Sequence, residues 1–205
     1  MKRIVLMALL AMALPMAMFA SSSIDFTNSG GALSGSTAGL TLSGSELIAV
    51  NGLGGLGLVT GGLGGVSFST GAVMSGGITA LQMGGNFAGG GSFDITGNGT
   101  DGIPSGTIFN GSFTGPLTWT LVTASNGTHN YTLQGSIKGT WYNGATVNGA
   151  TVQLTINTGK GYFSGSTMIS SGDTNISTVP EPGTLGLLGT GMIGLAGALR
   201  RKLKA

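Results

Sequence analysis

The sequence predicts an all-β protein whose central body is a β-sandwich-like antiparallel domain. Three observations predict it. Apolar and polar residues alternate with a period of two over several stretches, Asn-Gly dipeptides punctuate those stretches, and no part of the body shows the 3.6-residue periodicity of a helix. The body occupies residues 21–178 of a chain of 205. It is expected to lie between an N-terminal signal helix and a single C-terminal transmembrane helix.

The clearest strand runs from Tyr131 to Tyr142. Tyr131, Leu133, Gly135, Ile137, Gly139 and Trp141 fall on one face, and Thr132, Gln134, Ser136, Lys138, Thr140 and Tyr142 on the other. That is the pattern of a half-buried strand. Leu117–Leu121 and Thr151–Asn157 alternate in the same way, with weaker cases at Val66–Phe68, Phe93–Ile95 and Phe163–Ile169. Asn-Gly at 98–99, 126–127, 143–144 and 148–149 supplies turns, because both residues tolerate positive φ. Gly-Ser-Phe and its variants recur at 91, 111, 135 and 165, at unequal spacings of 20, 24 and 30 residues. Unequal spacing favours successive hairpins in a sandwich over a strict repeat. An irregular β-solenoid is the alternative for the first half, where Ser, Thr and Gly dominate.

The glycine-rich stretch Gly52–Gly65 holds eight glycines in fourteen positions. A flexible surface loop is one reading. Leu53, Leu56, Leu58, Val59 and Leu63 make it more apolar than a linker, so packing on the sheet is the other. Gly52-Leu53-Gly54-Gly55-Leu56-Gly57 matches the G-x-G-x-x-G dinucleotide fingerprint in letters only. No helix can start in the following Leu58–Gly65, and no acid lies near position 75 to hold a ribose.

The two ends differ sharply from the body. Met1-Lys2-Arg3 is a basic start, Ile4–Leu14 an apolar run, and Ala20-Ser21 the best cleavage point, so residues 1–20 read as a secretory signal peptide, with an uncleaved anchor as the alternative. At the other end Val179-Pro180-Glu181-Pro182 is stiff and extended, because each proline fixes its own φ and restrains the residue before it. Residues 183–199 then form an uncharged apolar run. At 1.5 Å rise they span about 25 Å as a helix, against about 30 Å of bilayer hydrocarbon. Arg200, Arg201, Lys202 and Lys204 close the chain and act as a stop-transfer cluster, since cations at the bilayer centre cost about 2.5–3.5 kcal/mol each. Gly186, Thr190, Gly194 and Ala198 make a small-residue stripe on that span, which permits close approach of a second helix.

Motif, apolar span and basic end, in that order, resemble the PEP-CTERM sorting domain of exported bacterial proteins. The resemblance covers about the last 26 residues. It implies that an exosortase-type membrane protease reads Val179, Pro180, Glu181 and Pro182 and processes the tail, that the secretion translocon carries the chain out, and that the tail holds the protein in the inner membrane until it is cut. It further implies a destination in the envelope, at the cell surface or outside the cell, in association with exopolysaccharide or a biofilm matrix. The body resembles no family.

Charge argues against a nucleic-acid partner for the body. The whole chain is formally +2, but that excess sits in the ends. Residues 21–180 hold Lys138 and Lys160 against Asp25, Glu46, Asp94, Asp101 and Asp173, a balance of −3. This removes the electrostatic footprint of a nucleic-acid binder. The chain has no cysteine and one histidine, so neither a disulfide framework nor the usual zinc sets are available.

Catalytic constellations are thin, and the body is expected to be non-enzymatic, without cofactor or metal. His129 falls in what reads as the turn Asn126–Asn130, as a surface residue. Ser136 and Lys138 share a strand face, but the polar one, where lysine keeps its proton and cannot act as a base. Asp94 and Asp101 are the one carboxylate pair to weigh for glycoside hydrolysis, an unfavoured class. Trp119 and Trp141 fall on apolar faces and read as core, whereas Tyr142 and Tyr162 are the candidates for an exposed sugar contact. A carbohydrate-binding module is therefore the alternative to a matrix protein. Asn-x-Ser/Thr acceptors stand at Asn98, Asn110, Asn126, Asn130 and Asn175.

Overall fold

A computed structural model describes residues 22–169 and 171–178. The signal peptide expected at 1–20, the motif Val179–Pro182, the span 183–199 and the cations Arg200, Arg201, Lys202 and Lys204 lie outside the described residues. Among those described, no helix is long and apolar enough to cross a membrane.

The strands are β1 (Ser22–Ser29), β2 (Ala32–Ser36), β3 (Gly39–Asn51), β4 (Val59–Ser69), β5 (Gly85–Phe87) and β6 (Gly90–Asn98) in the first half. They continue with β7 (Ser105–Phe113), β8 (Leu117–Thr123), β9 (His129–Trp141), β10 (Thr146–Asn157), β11 (Ser166–Met168) and β12 (Ser171–Thr178). A 3-10 turn at Leu53–Gly55 and one short helix, α1 (Gly77–Met83), complete the described elements. The expectation of an all-β antiparallel domain holds.

All twelve strands belong to one hydrogen-bonded sheet, whose main path runs β11-β2-β3-β4-β6-β7-β9-β8-β5. From this path β1 pairs with β3 and β12, and β10 pairs with β9. Since β12 also lies beside β10, neighbours trace a ring: β3, β1, β12, β10, β9, β7, β6, β4 and back to β3. The structure differs here from two separate sheets of a sandwich. It differs also from a solenoid in the first half, because β2 with β3, β3 with β4, β4 with β6 and β1 with β3 are all antiparallel, whereas stacked coils require parallel neighbours.

The core follows from the period of two. Along β9, His129, Tyr131, Leu133 and Ile137 are buried, and Gln134, Lys138 and Thr140 are exposed. Phe26 and Val50 sit beside Leu40, Leu42 and Leu47 in the same core, with Phe93, Ile95, Phe109 and Phe113 from β6 and β7. Phe26 stacks on Trp141 at 6.1 Å between ring centres although β1 and β9 do not pair, so the inner faces of distant strands meet. Trp119 is buried, as its face predicts, and Trp141 is partly buried against the core.

Irregularities bend the sheet. The β3–β4 ladder shifts register between Leu42 and Ser45 and again between Leu47 and Ala49, and the β6–β7 ladder shifts twice. Such bulges increase twist and curl a sheet toward closure. Three Asn-Gly dipeptides do mark turns or strand ends, with Gly99, Gly127 and Gly144 at φ of 85°, 80° and 82°. The fourth, at 148–149, lies inside β10 at a bulge between Asn148 and Ala150.

The glycine-rich stretch forms the 3-10 turn and the start of β4, with Leu53 and Leu63 buried. No helix follows Gly52–Gly57, which closes the dinucleotide reading. Glycine is needed at Gly64, whose φ is 151° and where an added Cβ would stand 1.9 Å from the carbonyl oxygen of Thr96 on β6. The two backbones touch there, and no side chain fits between them.

Gly64→Ala should therefore lower the unfolding free energy by about 3 kcal/mol or more, from overpacking added to backbone strain. Gly127→Ala, at φ 80° with nothing within 4 Å of the new Cβ, should cost only about 1–2 kcal/mol. Urea denaturation of both variants checks the contrast.

Candidate functional site

The outer face of β8, β9 and β10 is a continuous surface of three paired strands. Register aligns its residues into rows across the strands. Thr120, Thr132 and Thr155 make one row, Thr118, Gln134 and Gln153 the next, and Val122, Asn130 and Asn157 a third. Within the last row Asn157 Nδ2 donates to Asn130 Oδ1 at 2.8 Å. The row beyond Gln134 pairs Ser136 with Thr151, and Lys138 then faces Asn148 on one side and Ser112 on the other. Apart from Val122 these are polar side chains, and for those within 117–121, 131–142 and 151–157 the common orientation was readable in the sequence. Their alignment into rows depends on register.

Two recesses open on this side. One of about 540 Å³ is lined by Thr118, Gln134, Ser136, Thr151, Gln153 and Asn175. The other, of about 470 Å³, is lined by Asp25, Asn51, Leu58, Gln153, Asp173 and Asn175 among others. Gln153 and Asn175 belong to both, so the recesses join into one trough across β8, β9, β10, β12, β1 and β3. Asn175 is fixed in place: its Nδ2 donates to Asp25 Oδ1 and lies 2.7 Å from Ser23 Oγ. Sequence reasoning did not single out Asp25, Gln153, Asp173 or Asn175 as one group. They lie on β1, β10 and β12, and no spacing in the chain reports that these strands are neighbours.

The carboxylates weighed for hydrolysis do not form a pair. Asp94 sits on the outer face of β6, where it accepts a hydrogen bond from Asn110 Nδ2. Asp101 lies in the turn beyond β6 at φ 52°. The strand from Asp94 to Asn98 alone covers about 13 Å, more than the roughly 5–9.5 Å of a glycosidase pair. Ser136 and Lys138 do share the exposed face of β9, where the lysine stays solvated.

Tyr142 and Tyr162 are exposed by 46% and 50%, as expected of surface contacts. They stand at opposite ends of β9, however. Tyr142 follows its last residue, and Tyr162 stacks on its first, His129, with ring centres 4.3 Å apart. Twelve steps of strand put those ends about 40 Å apart, so the two tyrosines do not line one groove.

His129 itself corrects the sequence reading. It is buried at 7% exposure, opens β9, and its Nδ1 has no hydrogen-bond partner among the described residues. The alternation that starts at Tyr131 extends two residues further back, and the Asn-Gly turn ends earlier than the composition of Asn126–Asn130 implies.

Helix α1 also escaped the sequence pattern. It has seven residues, glycines at both ends, and only Ala80 and Leu81 buried. Tertiary bonds hold it. Trp119 Nε1 donates to the carbonyl of Leu81 at 2.9 Å, and Tyr131 Oη donates to that of Gln82 at 2.7 Å, so two carbonyls of the last turn are satisfied from the core. Tyr131 Oη also accepts from the backbone N–H of Phe163 at 3.0 Å. Its ring stacks on Trp119 at 4.8 Å. Burial raises the Tyr131 phenol above its ordinary value of 10.0, with the Phe163 N–H opposing. No group of three metal-ligating side chains occurs among the described residues.

The last described strand, β12, ends at Thr178. Residues 178–202 match the family model of the PEP-CTERM protein-sorting motif. The chain carries a PEP-CTERM sorting signal. That signal marks an exported, envelope-targeted protein with an exosortase as its processing partner. Neither comparison with curated proteins nor comparison with solved structures finds a match. The sorting signal therefore defines the route, and the body has to be read from its own surface.

Tyr131→Phe removes a donor and an acceptor at a buried site and should cost about 1–3 kcal/mol, while leaving the β-sheet circular dichroism intact. Because the folded phenol titrates above the unfolded one, its contribution is complete below pH 10 and is lost as pH rises through the folded value. A pH series of denaturation midpoints should fall more steeply above pH 10 for the wild type than for Tyr131→Phe.

Proposed function

We propose that this protein is a non-enzymatic component of the cell surface or extracellular matrix, delivered by its tail and associated with exopolysaccharide. The observation that carries the proposal is the sorting motif beginning at the end of β12. In this reading residues 1–20 direct export, residues 183–199 hold the chain in the inner membrane, and Arg200, Arg201, Lys202 and Lys204 keep its end cytoplasmic. Exosortase-type cleavage near Val179–Pro182 then frees the body.

The body's chemistry supports this destination. A weakly charged, hydroxyl- and amide-rich outer surface remains hydrated among neutral polymers without attracting polyelectrolytes. Pairing of the first strand with both β3 and the last strand covers the β1 edge, which would otherwise invite aggregation at high local concentration. A second reading, a carbohydrate-binding module, is favoured by the trough, although not by Tyr142 and Tyr162.

Replacing Glu181 with alanine should leave the tail attached. Immunoblots of cell fractions should show a membrane-bound species larger than the processed wild-type protein by the mass of the tail. Processing and release at wild-type levels would refute the role of the motif.

A further inference from the structure

We propose that the trough spanning β8, β9, β10, β12, β1 and β3 is a binding site for a neutral polysaccharide chain. Its polar contacts come from Thr118, Gln134, Gln153, Asn175, Asp25 and Asp173. The proposal deepens the matrix reading and rests on it only for where the polymer is met, since binding by the purified chain does not depend on sorting.

The first argument is the donor set. A sugar hydroxyl donates one hydrogen bond and accepts others, so its best partners are side chains that do both or that pair a donor with an acceptor. Carboxamides carry a donor and an acceptor on one planar group, and carboxylates accept strongly. Gln134 and Gln153 are cross-strand partners with exposed side chains, about 4.8 Å apart along the sheet. Asn175, locked against Asp25 and Ser23, loses little further freedom when a ligand arrives.

The second argument is charge. Asp25 and Asp173 are the ionisable side chains of the lining, and among the described residues no cation joins them there. Phosphate polymers and uronic-acid polymers are repelled at such a surface. Lys138 lies a row beyond the trough and does not reverse this. The third argument is polarity. Protein partners are gripped by a desolvated apolar or aromatic centre, and here the large exposed apolar side chain is Leu58 at one end.

Shape selects a chain over a single sugar. The two recesses run end to end across six neighbouring strands, about 24 Å at ordinary strand spacing. Each has the volume of a small-ligand site, and each is open. Among the described residues no exposed aromatic ring faces the trough, so its polar contacts are hydrogen bonds made in competition with water. Affinity per sugar is low and accumulates along the chain.

The test uses the full-length protein in detergent micelles, in native affinity gels cast with dextran, mannan or galactan, and with polygalacturonate as the acidic polymer. At least one neutral polymer should retard the wild type, and polygalacturonate should not. Gln153→Ala should weaken retardation about three- to tenfold, the loss of roughly one hydrogen bond. Gln134→Trp, which fills the trough from an exposed strand position, should abolish it, and Lys138→Ala should leave it unchanged. Thr155→Trp replaces Gln134→Trp if the latter shifts the melting transition. Absence of retardation by all three neutral polymers, preference for polygalacturonate, or equal retardation of wild type and blocked variants would overturn the site. Release of reducing ends from a bound polymer would overturn the non-enzymatic reading while leaving the binding site standing.

Discussion

The rest of the body depends on the contact between its first and last strands. β1 pairs with β12 on one side and β3 on the other, and β12 packs beside β10, so strands surround the core. Without that seam β3 would present an unpaired edge toward β1, and Phe26 and Ile176, now fully buried, would be uncovered. The trough straddles the seam. Asn175 on β12 and Asp25 on β1 join the strands through a side-chain hydrogen bond and also form part of the trough's polar lining.

The inside of the seam is unusual for its polarity. Asn28 is wholly buried and donates to Ser45 Oγ at 2.6 Å, which in turn donates to the carbonyl of Ser29 at 3.2 Å. Asn28 Oδ1 and Thr174 Oγ1 have no hydrogen-bond partner among the described residues. Each such group costs about 1–3 kcal/mol when buried. Gly172 makes the arrangement possible, because a Cβ there would stand 2.4 Å from Leu154 Cδ1 and 3.1 Å from Asn28 Oδ1. The seam is thus the least apolar part of the interior, in contrast to the aromatic cluster of Phe68, Phe93, Phe109 and Phe113 on the opposite strands.

Strand faces were legible where alternation was strong. The two faces of Tyr131–Trp141, the burial of Trp119 and the exposure of Tyr142 all follow from a period of two read locally. Elements held by distant partners were not legible. Helix α1 has neither length nor an amphipathic stripe, and its last carbonyls are satisfied by Trp119 and Tyr131, 38 and 49 residues further along the chain. The start of β4 carries so many glycines that it resembles a loop. Only the close approach of β6 at Gly64 explains why a strand is built that way.

By itself the sequence determined the antiparallel all-β class, the inward and outward faces of the main strands, the near absence of charge on the body, and the sorting signal at its end. These are local properties, fixed by side-chain periodicity or by a contiguous motif. Tertiary structure alone decided that the twelve strands make one sheet, that β1 and β12 meet, that His129 is inside, and that Gln134, Gln153, Asn175 and Asp25 line one trough. Pairing between strands some 150 residues apart is set by how the whole hydrophobic surface is covered, and that sum is not written in any one segment.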